Sequence, residues 1–226
     1  MSVAALLLCG GRGERLGMPV PKSLASLAGR PLFTWSLSAL ERCSAITAIV
    51  VVGPVKHLKE MMAAAGQASW KVTGWVEGGR ERQESVARGL LALPEGADHV
   101  LVHDAARALV EPPLLERVIA DGLEHGAAIA AIRLADTLKR GSLDVVEDTV
   151  PRASLWCAQT PQVFRRAWLE EAHRSAPKNA TDDAMLVEAL GKRVHLTEGD
   201  PLNFKITTPR DLELAEAWLT RAPART

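Results

Sequence analysis

Apolar runs of strand length alternate along this chain with stretches of helical period, and that alternation restricts the fold more than any other property. The runs are Val3 to Leu8, Ala48 to Val52, Lys71 to Val76, His99 to His103 and Ala127 to Ile132. Between them, Leu32 to Leu40, Leu58 to Ala65, Arg82 to Leu93 and Pro113 to Glu124 read as helices. Such an order buries strands between helix layers, so the expected fold is α/β: a Rossmann-like three-layer domain with a mostly parallel twisted sheet. Pro112-Pro113 suits a helix start, where a missing N–H costs nothing, and Gly126 suits its end. At 226 residues the chain is expected to form one domain over 1–226.

The rhythm breaks between Asp136 and Gln162. Asp136-Thr137-Leu138-Lys139-Arg140-Gly141 leads to Asp144 through Val150 and then to Ser154-Leu155-Trp156-Cys157. This reads as a protruding β-arm at about 136–157, not as another βα unit. A lone hairpin is marginal in water, so an arm of this kind commonly packs on a partner subunit. Beyond it come helices from Arg165 to Ser175 and Asp182 to Leu190, then a strand from Arg193 to Thr197. The last helix opens Thr208-Pro209-Arg210-Asp211, a cap followed by proline and then an acid.

Charge and composition narrow the partners. Lysine plus arginine equals aspartate plus glutamate at 27 each, so no global positive field gathers nucleic acid. No apolar run approaches a membrane span, and the N-terminal one is too short and too soon broken by glycine for a signal peptide. The expectation is a cytoplasmic protein without a membrane partner. Cys9, Cys43 and Cys157 form an odd, scattered set that fits neither a disulfide framework nor a structural zinc site.

The first strand runs into Cys9-Gly10-Gly11-Arg12-Gly13-Glu14-Arg15-Leu16-Gly17 and soon reaches Pro21-Lys22-Ser23. Glycines let backbone N–H groups curl around an anion, and Arg15 and Lys22 add positive charge. A dinucleotide fingerprint would place glycine where Leu16 stands, and a Walker A loop would place it where Pro21 stands. Ligands in parallel sheets sit beyond the carboxyl ends of strands. Those ends are polar here: Glu77-Gly78-Gly79-Arg80-Glu81-Arg82-Gln83-Glu84-Ser85, His103-Asp104-Ala105-Ala106-Arg107 and, later, Asn203-Phe204-Lys205-Ile206-Thr207. Each has an ordinary reading as a turn, a cap or a solvated cation. Their convergence on one rim points to phosphoryl or nucleotidyl transfer, in which positioning and charge stabilisation dominate. Asp104 is the candidate for holding Mg²⁺, and a substrate phosphate can itself attack, so no enzyme nucleophile is required.

The N-terminal segment with Pro21-Lys22 resembles the signature of sugar-phosphate nucleotidyltransferases. With Thr160-Pro161-Gln162-Val163-Phe164, Thr181-Asp182-Asp183-Ala184 and the segments above, the chain resembles the 2-C-methyl-D-erythritol 4-phosphate cytidylyltransferase family over nearly its whole length. The resemblance implies transfer of a cytidylyl group from CTP to 2-C-methyl-D-erythritol 4-phosphate, with pyrophosphate released. It implies catalytic roles for Arg15, Lys22, Arg152 and Lys205. It implies nucleotide contacts from Gly10, Gly11, Gly13, Gly79, Arg80, Ser85 and Ala105, and substrate contacts from Arg107, Thr137, Thr160 and Thr181. Asp104 becomes the Mg²⁺ ligand. Thr137 and Arg152 belong to an arm entering the neighbouring subunit's site, so a homodimer is implied. This chain departs from the family with Ala108 where proline is frequent, which is expected to loosen the Arg107 loop. Cys9 and Arg80 are further departures. The alternatives are a cytidylyltransferase for another polyol phosphate such as ribitol 5-phosphate, and a non-catalytic nucleotide-binding module.

Overall fold

The computed structural model describes residues 1–11, 20–66, 70–175 and 180–221. In chain order the first half holds strands β1 (Val3–Leu8), β2 (Ser26–Leu27) and β3 (Arg30–Pro31), helix α1 (Leu32–Arg42), β4 (Ile46–Gly53), α2 (Leu58–Ala65) and β5 (Val72–Glu77). Then come α3 (Arg82–Leu91), β6 (His99–Asp104), α4 (Pro112–His125) and β7 (Ala127–Arg133). The remainder holds β8 (Leu138–Ser142), β9 (Val145–Val150), β10 (Trp156–Arg165), α5 (Arg166–Ser175), α6 (Asp183–Ala189), β11 (His195–Glu198) and α7 (Pro209–Arg221).

Seven strands form one sheet in the order β11-β7-β10-β6-β1-β4-β5. β1 is parallel to β4 and β6, β4 to β5, and β7 to β11. β10 alone runs antiparallel, between β6 and β7. It is the strand of this sheet that sequence pattern misses, because Pro161 and flanking polar residues interrupt the run and proline is disfavoured inside a sheet. The Thr160–Pro161 bond is cis, and pairing with β7 shifts register between Ala158 and Gln162.

Alternation along β1 shows how the sheet takes helices on both faces. Val3, Ala5 and Leu7 pack with Phe33 and Leu40 of α1, Met61 of α2 and Leu115 and Val118 of α4. Ala4, Leu6 and Leu8 pack with Val86 and Leu90 of α3, Leu169 of α5 and Leu186 and Val187 of α6. A third cluster joins Leu27, Leu32, Leu109 and Ile206 to Ala215 of α7. Ala108 is buried in it, and the adjoining turn is tied by Arg107 N–H to Asp104 O at 2.9 Å and Ile206 N–H to Ala106 O at 2.8 Å. These bonds close the turn that precedes Ala108.

Between β7 and β10, β8 and β9 pair only with each other. Their turn, Leu143-Asp144, has φ of +48° and +64°, and Leu143, Val145 and Val146 are exposed. The chain leaves β1 outward through β4 and β5 and returns to pair β6 on β1's other side. That reversal opens a crevice at the carboxyl ends of β1 and β6, where ligands of such sheets lie.

Candidate functional site

Gly10 and Gly11 leave the end of β1, with Gly11 at φ +112°, and the side chain of Lys22 runs beside them. A Cβ on Gly11 would sit 3.9 Å from Lys22 Cε. On the far side of β4 from β1, the turn after β5 brings Gly78 and Gly79 to the start of α3. A Cβ on Gly79 would fall 2.2 Å from Glu84 Cβ, so this position is closed to any larger residue. The turn is fixed by α3 itself: Gly79 N–H donates to Ser85 Oγ at 3.0 Å, Ser85 Oγ donates to Glu81 O at 3.1 Å, and Arg80 N–H donates to Glu84 Oε2 at 2.8 Å. Gly10, Gly11, Lys22, Gly79, Arg80 and Ser85 thus line one cavity of about 1230 Å³, which Arg88 and Thr207 also border. Gly13 and Arg15 lie outside the described residues.

At the carboxyl end of β6, on the other side of β1 from β4 and β5, stands a chain of alternating charges. Asp104, the last residue of β6, meets Lys205 Nζ at 2.6 Å through Oδ2 and Arg82 Nε at 3.3 Å through Oδ1. Arg82 Nη1 reaches Asp183 Oδ2 at 2.7 Å, and Asp183 Oδ1 meets His173 Nε2 at 2.9 Å. Burial works to raise the Asp104 carboxyl, yet the fields of Arg82 and Lys205 hold it far below the usual carboxylate range. Asp183 is likewise depressed against its own burial by Arg82 and His173. Burial pushes the Cys9 thiol far up, with Asp104 adding to the effect, which removes Cys9 as a nucleophile at neutral pH.

Hydrogen bonds tie the end of β6 to β10 and to the Arg107 turn. Asp104 N–H donates to Thr160 Oγ1 at 3.0 Å, and Thr160 Oγ1 lies 3.2 Å from His103 Nδ1. His103 Nε2 lies 3.4 Å from Arg107 O. A carbonyl only accepts, so Nε2 carries the ring proton and Nδ1 takes the Thr160 hydroxyl's. Burial lowers the His103 pKa to about 4, which keeps the ring neutral. Arg107 is aimed by Asn203 O at 2.8 Å and Ala158 O at 3.4 Å. Ala105 is buried, its N–H donating to Leu8 O and its carbonyl accepting from Ser36. Thr160 is also buried, with its hydroxyl used inside the protein. Thr181 is exposed just before α6. Thr137 and Arg152 are exposed at the arm, where Arg152 donates to the Ala135 carbonyl, and neither borders the cavity.

Arg82, Asp183 and His173 are the residues that sequence reasoning left unassigned. One signal was present: a cation in the first turn of a helix opposes the helix dipole, so Arg82 required an acidic partner from elsewhere. Among the described residues, no three His, Cys, Asp or Glu side chains converge on a metal position. Mg²⁺ takes few protein ligands and completes its shell with phosphate oxygens and water. Asp104 is an ionised oxygen donor at the carboxyl edge of the sheet; each of its oxygens already meets one cation, Lys205 or Arg82, and keeps a second lone pair that a metal ion could use.

The sequence profile of the family described as 2-C-methyl-D-erythritol 4-phosphate cytidylyltransferase matches residues 3–221. A protein of that name from Synechococcus sp. (strain CC9902) is 44% identical over 220 residues, covering 95% of this chain and 96% of the relative. One from Geobacillus kaustophilus is 42% identical, covering 97% of each. The crystal structure of 2-C-methyl-D-erythritol 4-phosphate cytidylyltransferase from Thermus thermophilus superposes with a TM-score of 0.81 at 37% identity, covering 97% of this chain and all of that one.

Proposed function

The chain belongs to the 2-C-methyl-D-erythritol 4-phosphate cytidylyltransferase family, and from that membership we propose how its residues divide the work. The protein is a nucleotidyltransferase of the non-mevalonate isoprenoid pathway. It transfers the cytidylyl group of CTP to 2-C-methyl-D-erythritol 4-phosphate, giving 4-diphosphocytidyl-2-C-methyl-D-erythritol and pyrophosphate. An oxygen of the phosphopolyol's phosphate attacks the α-phosphorus. As that O–P bond forms, the bond to the bridging oxygen breaks and pyrophosphate leaves with the electron pair. The attacking phosphate is ionised at neutral pH, so the enzyme supplies position and charge.

Lys22, beside Gly10 and Gly11, takes the negative charge growing on the α-phosphate and the leaving pyrophosphate, and Arg15 shares that role. Gly13, Gly79, Arg80 and Ser85 surround the nucleotide. Lys205 and Arg152 hold the phosphopolyol's phosphate, and Arg107, Thr137 and Thr181 hold its polyol. The engaged hydroxyl of Thr160 supports a role in fixing Asp104 and His103. Asp104 would hold Mg²⁺, which when bound neutralises triphosphate charge. The exposed apolar arm supports a homodimer in which Thr137 and Arg152 serve the partner's site. Three cysteines without disulfides support a cytoplasmic setting; no helix among the described residues is long and apolar enough to cross a membrane.

The observation that carries this assignment is that Gly10, Gly11, Lys22, Gly79, Arg80 and Ser85, drawn from separate motifs, border one cavity. Incubating the protein with CTP, Mg²⁺ and each phosphopolyol separately, while measuring pyrophosphate, tests it. Faster release with ribitol 5-phosphate would overturn the choice of acceptor.

A further inference from the structure

We propose that Arg82 is a positioning residue for the transfer: anchored from behind by Asp183 and His173, it fixes Asp104 so that Asp104 presents Lys205 to the phosphopolyol's phosphate. The proposal rests on the function assigned above and adds residues which that assignment does not use.

Lys205 needs such support. It sits in an irregular segment between β11 and α7, its side chain is 41% exposed, and Asp104 at 2.6 Å is its salt-bridge partner. A lysine on a flexible stem is held only as well as its partner is held. Asp104 in turn is oriented by Arg82. The planar guanidinium places Nε on Asp104 Oδ1 and Nη1 on Asp183 Oδ2, so one rigid fork fixes the direction between two carboxylates. Asp183 has almost no freedom: its side chain is 1% exposed and its other oxygen meets the buried His173. Lys205, Asp104, Arg82 and Asp183 sum to zero formal charge, and they tie the Lys205 segment to β6, α3 and α6, with His173 adding α5.

Energetics favour orientation over stability as the purpose of this chain. Buried ion pairs return little net stability after desolvation, and Asp183 with His173 could satisfy Arg82 without any link to Asp104. The contact with Asp104 carries the network to the site. A displacement of about 1 Å at the reacting groups can cost around a hundredfold, which sets the scale of the expected effect.

The test uses the purified full-length protein and steady-state pyrophosphate release, varying CTP and the phosphopolyol separately. Arg82→Gln is expected to lower kcat/KM for the phosphopolyol by about ten- to a hundredfold, while KM for CTP, measured at saturating Mg²⁺ so that any weaker hold of Asp104 on the metal is masked, stays within about twofold. Arg82→Lys, which keeps the charge without the fork, recovers part of the loss. Asp183→Asn moves the same parameters less, and the double variant is no worse than Arg82→Gln, because members of one network are not additive. A role limited to folding predicts otherwise. Arg82 opens α3, whose preceding turn borders the nucleotide cavity, so a loosened helix would raise KM for CTP in step. That outcome, or effects of the single variants that multiply in the double, overturns the proposal. Should Arg82→Gln alone fail to fold because Asp183 is stranded, the double variant removes both charges together and Arg82→Lys keeps both. A wild type that releases no pyrophosphate refutes the assigned function and the proposal with it. An active wild type whose variants show no such split refutes the proposal alone.

Discussion

Replacing Asp104 by asparagine removes a charge without removing volume, and the structure sets what should follow. The carboxylate is 11% exposed and touches two cations, Lys205 at 2.6 Å and Arg82 at 3.3 Å. Stranding one partner of a fully buried pair costs about 3–5 kcal/mol. Two features reduce that here. Lys205 is 41% exposed, so water recovers much of its solvation, and Arg82 keeps Asp183 at 2.7 Å. The asparagine carbonyl can still accept from one of the two. We therefore expect a loss of about 2 kcal/mol, or roughly 4–8 °C in Tm for a chain of this size, together with a fall in turnover of about a hundredfold.

The pH dependence checks the cause. Asp104 has a depressed folded pKa, so its contribution is complete above the unfolded carboxylate value of about 4 and is lost as pH falls toward the folded value. The Tm gap between wild type and Asp104→Asn should therefore narrow below about pH 4. Calorimetry at pH 7 and across the acid range measures it. A gap that is absent at neutral pH, or that stays constant into acid, refutes the electrostatic reasoning.

Other consequences are simpler to state. Lys22→Ala should cut turnover by about a hundredfold, and unchanged turnover would remove Lys22 from the chemistry. Mixing Lys22→Ala with Arg152→Ala should recover activity if the arm serves the partner's site; no recovery after confirmed subunit exchange counts against that arrangement. In α4, a Cβ on Gly122 would lie 2.4 Å from Val163 Cγ1. Overpacking there costs about 1–3 kcal/mol against about 1 kcal/mol gained in helix propensity, so Gly122→Ala should lower Tm, and a rise would show that β10 yields. At the arm's tip, Leu143 and Asp144 both hold positive φ, which costs residues with a Cβ about 1–2 kcal/mol each. Leu143→Asn with Asp144→Gly should therefore slow amide exchange along β8 and β9, and unchanged exchange would count against strain at the turn.

Which parts of this molecule sequence could disclose follows from the range of the forces involved. Strands buried on both faces must be apolar along their length, so β1, β4, β6 and β7 announce themselves, and helices such as α4 carry their period and their capping residues within a dozen positions. β10 does not, because its sequence reads as a polar segment around Pro161, and its place in the sheet is decided by pairing with β6 and β7 on either side. The front of the site was legible for a local reason: glycines at strand ends are needed wherever backbone must close on an anion, and Gly10, Gly11 and Gly79 mark those turns.

Asp104 and Lys205 were legible as site residues, but the pairing that links them to Arg82 and Asp183 was not, and the cause is distance along the chain. Arg82 and Asp183 are 101 residues apart, as are Asp104 and Lys205, so no periodicity or spacing rule connects them. Each alone passes for a surface charge. Only the crossing of β6, α3 and α6 at the carboxyl edge of the sheet brings them together, and burial then makes the partners mutually necessary, since a charge at the depth of Asp183 cannot remain unpaired. A substitution at Asp183 should therefore register at Lys205, which shares neither an element nor a contact with it.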